Sequence, residues 1–110
     1  MRVAIVLGLA LPLVLAVSPS PLGAQSTVTV DIQDFSFQPH EWTIQVGSVV
    51  HWVNRDDWPH HVAAEDSKTF NSGVIAPGKD FRFTFTQTGR FSYRCGIHPT
   101  MLGVITVQGQ

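Results

Sequence analysis

Apolar residues recur at every second position along much of this chain, and that period constrains the fold more than any other feature. Phe81, Phe83 and Phe85 alternate with Arg82, Thr84 and Thr86. Val28, Val30 and Ile32 alternate with Thr27, Thr29 and Asp31, and Trp42, Ile44 and Val46 repeat the pattern. Successive side chains of a strand point to opposite faces, so period 2 describes a strand with one face in a core. Val49 to Asn54, His60 to Ala64, Phe91 to Cys95 and Val104 to Val107 read the same way. Gly47-Ser48, Arg55-Asp56-Asp57, Pro77-Gly78 and Thr88-Gly89 punctuate them as turns, and Pro39 breaks the first run. Roughly seven short strands with such punctuation predict an all-β fold, an antiparallel Greek-key β-sandwich.

The N-terminal segment does not share this pattern. Met1-Arg2 is followed by an uncharged run over residues 3–17 and then by small residues and prolines leading to Ala24. A basic tip, an apolar run and a small-residue exit make a secretory signal peptide. The run is shorter than the roughly 20 residues that span a bilayer, and Pro12 interrupts it. The expected organisation is a signal peptide over 1–24 and one domain over 25–110. That places the mature protein in the periplasm or outside the cell, with no stable membrane association. The formal net charge is −1, and −2 once Arg2 is removed. Such a balance excludes nucleic acid as a partner recognised through phosphate charge.

Removing 24 of the 110 residues leaves 86, a domain with a modest core. Small exported domains often add disulfides, but this chain has one cysteine, Cys95. A lone thiol outside the cytoplasm calls for an occupant. A metal would occupy it and stabilise the folded state.

Cys95, His98 and Met101 follow one another as C-x2-H-x2-M. Cys95 ends a strand on its inward face, and the loop after it holds Gly96 and Pro99 before the last strand begins. A loop wound round a point turns residues 95, 98 and 101 inward together. His60, 35 residues before Cys95, is the candidate for a fourth ligand, with His61 beside it as the alternative. Two imidazoles, a thiolate and a thioether are the donors of a trigonal His2Cys site with a weak axial Met, the blue-copper set. Structural zinc sites commonly use two or more cysteines, and iron–sulfur clusters two to four. The expected cofactor is one copper ion cycling between Cu(I) and Cu(II).

The stretch from Gly47 to Val107 resembles the plastocyanin/amicyanin group of cupredoxins. The matching pieces are Gly47 to Asn54, Pro59-His60, Phe81 to Phe85 with Gly89, and Phe91 to Gly103. The two-residue gap between His98 and Met101 is the amicyanin form. Thr27 to Val46 matches loosely. The resemblance implies an eight-stranded sandwich, a type 1 copper at one end, and electron transfer to a redox partner. It carries the ligand role to His60, Cys95, His98 and Met101. One position departs: the family has Asn after the first histidine, where its side chain ties the ligand loops together, and this chain has His61.

The remaining residues suggest no second chemistry. Trp42, Trp52 and the Phe81–Phe85 stripe read as core, His51 as solvent-facing, Asp56-Asp57 as a solvated turn, and His40 has no evident role. Trp58 lies either at the rim of the metal end or over the core. A non-enzymatic monomer is expected, an electron carrier that docks partner proteins briefly at its His98 end. The alternative is a copper-binding chaperone, against which the mature chain's single Met counts.

Overall fold

The alternating segments become nine strands in a computed structural model, which describes residues 26–109. They are β1 (Thr27–Gln33), β2 (Ser36–Gln38), β3 (Glu41–Gln45), β4 (Val49–Asn54), β5 (His60–Ala64), β6 (Asn71–Ile75), β7 (Asp80–Thr84), β8 (Gly89–Arg94) and β9 (Leu102–Gln108). The expected signal peptide lies outside the described residues. Among the described residues there is no helix, hence none long and apolar enough to cross a membrane.

The strands form two sheets, in the orders β2-β1-β4-β7 and β3-β9-β8-β5-β6. The all-β sandwich matches expectation, but the sheets are mixed and not wholly antiparallel. β1 runs parallel to β4, and β3 parallel to β9. The reason lies in connectivity. β1 and β2 form a hairpin in one sheet, and the chain then passes Pro39 into the other sheet to make β3. Strands that meet without a tight hairpin between them are free to run parallel.

The period-2 pattern decides what is inside. β4 buries Val50, Trp52 and Asn54, β5 buries His60, Val62 and Ala64, and β9 buries Gly103, Ile105 and Val107. Trp52 and Tyr93 meet edge-on at the centre, with ring centroids 5.4 Å apart. Phe70 packs on Trp52, Phe83, Phe85 and Tyr93. Trp42 is only half-buried, and Phe81 and Phe83 pack on the core from its margin. Tyr93 lies opposite Gly103 across the β8–β9 pair. A Cβ on Gly103 would overlap the phenol ring and lie 2.7 Å from Cε1, so the absent side chain makes room for the tyrosine. Burial pushes the Tyr93 hydroxyl well above the usual phenol range, against a weaker opposing pull from the Trp52 indole N–H. The two groups are near neighbours that do not reach hydrogen-bond geometry.

Three connections converge at one end of the sandwich: the β1–β2 turn, the β4–β5 loop and the β8–β9 loop. The residues expected to carry chemistry lie there.

Candidate metal centre

His60 faces the core because it shares a strand face with Val62 and Ala64; its side chain is fully buried. Cys95 continues the inward face of Tyr93 just past the end of β8 and is also fully buried. The β8–β9 loop then closes on itself. The Cys95 N–H donates to the Met101 carbonyl at 3.1 Å, and the Met101 N–H donates to the His98 carbonyl at 2.9 Å. The His98 N–H donates to Cys95 Sγ at 3.4 Å. This closure turns His98 inward, half-buried, and leaves Met101 only 3% exposed.

The result is a cluster. The ligand atoms of His60, Cys95 and His98 all lie within 4.8 Å of one another. Cys95 Sγ is 3.8 Å from Nδ1 of His60 and 3.8 Å from Nδ1 of His98. That is the N-to-S separation for two donors on one first-row ion, with bonds of about 2.0 and 2.3 Å near 120° apart. One thiolate and two imidazoles, with a buried thioether at the end of the same loop, therefore fit copper in both chemistry and spacing.

The tautomer of His60 is set from behind. Nε2 lies 2.8 Å from Asp56 Oδ2, so it carries the proton and leaves Nδ1 free as a donor toward the cluster. Asp56 also accepts the Asp34 N–H at 2.7 Å and the Phe35 N–H at 3.0 Å. Burial raises the Asp56 pKa, but the hydrogen bonds from Phe35, His60 and Asp34 outweigh it, and the net shift is downward. Asp56 thus corrects its expected role as part of a solvated turn: its side chain is 10% exposed and holds two segments together. Asn54, fully buried, braces the same loop. Its Nδ2 donates to the Trp58 and Ile75 carbonyls at 2.8 and 2.9 Å, and its Oδ1 accepts the Asp56 N–H at 2.9 Å. The sequence reading gives Asn54 no role of its own and Asp56 only that of a turn residue. An Asn closing a strand just before Asp-rich turn residues was the available signal.

Phe35 was also missed. It follows Asp34 in the β1–β2 turn, both with positive φ, 55° and 54°. Asp tolerates the left-handed region, but a bulky aromatic rarely enters it. The turn holds Phe35 edge-on to both histidines, with centroids 5.4 Å from His60 and 5.0 Å from His98. Trp58 resolves to the rim, 57% exposed and 6.2 Å from Phe35. His61 is not part of the cluster of three; its Nε2 lies 2.7 Å from Asn71 Oδ1. His51 is less exposed than expected and pairs with Asp80 at 2.6 Å, while His40 lies exposed beside Glu41.

The chain is similar to known proteins in sequence and fold. The family model of the cupredoxin-like domain matches residues 4–107. Amicyanin from Paracoccus denitrificans is 28% identical over 77% of this chain and 68% of its own length. Amicyanin from Paracoccus versutus is 32% identical over 74% of this chain and 64% of its own. Plastocyanin from Scenedesmus fuscus is 30% identical over 79% of this chain and 95% of its own. The chain therefore spans about two thirds of the amicyanins and nearly all of that plastocyanin. Among solved structures, an amicyanin variant in its Cu(I) form superposes with a TM-score of 0.69 at 26% identity, covering 74% of this chain and 82% of the other. The shared sandwich, the cluster of one cysteine and two histidines, and these relatives together place the chain in the cupredoxin-like family, of the amicyanin and plastocyanin type.

Proposed function

We propose that this protein carries single electrons, holding one copper ion through His60, Cys95, His98 and Met101. The observation that carries the reading is the convergence of His60 Nδ1, Cys95 Sγ and His98 Nδ1 at the end of a rigid sandwich. Copper supplies a one-electron change between Cu(I) and Cu(II). The chain's part is to keep the donors in place. Two of the three clustered residues are fully buried, and Asp56 fixes the ring of His60, so the donor geometry resists rearrangement when charge changes. The same closure favours a carrier over a chaperone, which must exchange ligands. The family resemblance implies electron exchange and no catalysis.

Partner proteins dock at the His98 end in this reading. Phe35, Trp58 and Ile97 are 44%, 57% and 41% exposed there, and Phe35 packs on the His98 ring. A small apolar rim suits brief encounters of low buried area. The signal-like segment over 1–24 supports export, with the domain over 25–110 working as a monomer outside the cytoplasm.

The test is addition of one equivalent of Cu(II) to the purified metal-free protein. An intense visible thiolate-to-copper absorption and a reversible one-electron voltammetric wave are expected. A colourless complex, or a blue protein without reversible reduction, would refute the carrier reading.

A further inference from the structure

His61 follows the proposed ligand His60 on the opposite face of β5. Its ring joins two other segments. Nε2 lies 2.7 Å from Asn71 Oδ1, at the start of β6. The same oxygen accepts the Gly73 N–H at 2.9 Å, which fixes it as the carbonyl oxygen of the amide. Nε2 of His61 is therefore the protonated nitrogen and donates. At its other edge the ring meets Gly96, the residue after Cys95. A Cβ on Gly96 would overlap Nδ1, and would lie 2.8 Å from Cε1 and 3.3 Å from Cγ. Gly96 is not among the residues with positive φ, so no left-handed strain bars a side chain there. What excludes one is space. The register explains the meeting: β5 pairs with β8 as Ala63 to Arg94 and Ala64 to Tyr93. Continued past the end of the paired residues, that antiparallel register sets His61 opposite Gly96.

We propose that His61 is a positioning residue for the metal centre, with its imidazole anchored on Asn71 and wedged against Gly96 to set the spacing between β5 and the ligand loop. The proposal rests on reading His60 and Cys95 as ligands. His61 and Gly96 each adjoin one of those residues in sequence. The thickness of the ring is therefore passed directly to the separation of His60 Nδ1 and Cys95 Sγ, now 3.8 Å. Ring and glycine act as a matched filler and gap. Neither is replaceable alone without altering the geometry.

A double-variant cycle tests this, with Gly96→Ala, His61→Ala and the combination. In the metal-free protein, Gly96→Ala should lower the melting temperature by about 5 °C or more, and adding His61→Ala should restore most of the loss. In the Cu(II) protein, Gly96→Ala should shift the visible bands and the reduction potential, and the combination should move both back toward the parent values. Additive effects, with Gly96→Ala as harmful without the ring as with it, would overturn the proposal. So would a coupling seen in melting alone, which would make the contact structural. If Gly96→Ala does not fold, His61→Asn decides: a shifted potential with an unchanged fold is expected, and an unshifted one refutes the wedge. If the parent protein gives no visible band, the copper reading fails, while the metal-free melting cycle still decides whether ring and glycine are matched.

Discussion

Asp56 Oδ2 and His60 Nε2 lie 2.8 Å apart, and the same carboxylate accepts the backbone N–H groups of Asp34 and Phe35. One side chain thus orients a proposed ligand and holds the turn that places Phe35 over it. Replacing Asp56 by Ala removes all three bonds and frees His60 to turn. Copper affinity should fall about 10- to 100-fold, as is usual when the group behind a ligating histidine is lost. A competition titration against a chelator of known affinity measures it, and an unchanged affinity would mean that the ring is held by packing alone.

Cys95→Ser should abolish the visible absorption while leaving a folded sandwich, because Oγ replaces Sγ with little change of volume in a fully buried position. His60→Ala should likewise destroy the spectrum, whereas His61→Ala should only shift it. Absorption and far-ultraviolet circular dichroism on the three variants separate loss of ligand from loss of fold. Retention of the band in His60→Ala with its loss in His61→Ala would move the ligand assignment by one residue.

Gly103→Ala should destabilise the fold by about 1–3 kcal/mol, the usual cost of overpacking, because the new methyl collides with the Tyr93 ring. The combination Gly103→Ala with Tyr93→Phe should not recover the loss, since the clash includes the ring carbons Cζ and Cε1 and not the hydroxyl alone. Urea denaturation of both proteins tests this; full recovery in the combination would place the conflict at the oxygen.

Asp66 gives the fold an acid-sensitive element far in sequence from the ligand loop. The Thr69 hydroxyl donates to it, as do the Thr69 and Lys68 N–H groups at 2.9 and 2.8 Å, and these bonds hold its pKa below the ordinary value. A carboxyl whose pKa is lower in the folded state binds protons more readily when unfolded. It therefore contributes stability above the unfolded pKa, and that contribution is lost as pH falls below about 4 through the folded value. Asp66→Asn should reduce the urea midpoint near pH 6 and narrow the gap to the parent near pH 3. A gap that stays constant over this range would show that the carboxylate's charge adds nothing.

The strands that pack two-sided patterns were legible from the sequence, and the residues that hold them at the metal end were not. Phe81, Phe83 and Phe85 announced β7 through large side chains at strict spacing. β6 did not, because Asn71-Ser72-Gly73-Val74-Ile75 buries only Ile75 and carries no alternation. The β1–β2 turn was hidden as well. Asp34 suits a left-handed conformation, but Phe35 adopts it with its N–H bound by Asp56, 21 residues away, and its ring against His60 and His98. The ligand set was readable because its chemistry is local, with three donors in seven residues. Asp56, Asn54 and the His61–Gly96 contact act across loops, and no spacing rule records a bond between two loops. The mixed strand directions were missed for the same reason: β3 and β9 are neighbours in space although most of the chain separates them.

That last pairing determines how the five-stranded sheet is closed. β9 lies between β3 and β8, so the five-stranded sheet is in two pieces until residues 102–108 arrive. Glu41 pairs with Val104 and Gln45 with Gln108, contacts of such sequence separation that loop closure makes them slow to form. The β8–β9 loop, closed by the Cys95 N–H on the Met101 carbonyl, leads directly into this strand. His60 belongs to β5 and Cys95 follows β8, so the two donors come together only where β5 and β8 have paired. A site made this way belongs to the closed sheet and not to either loop alone, and an ion held there would draw its affinity from the folded state.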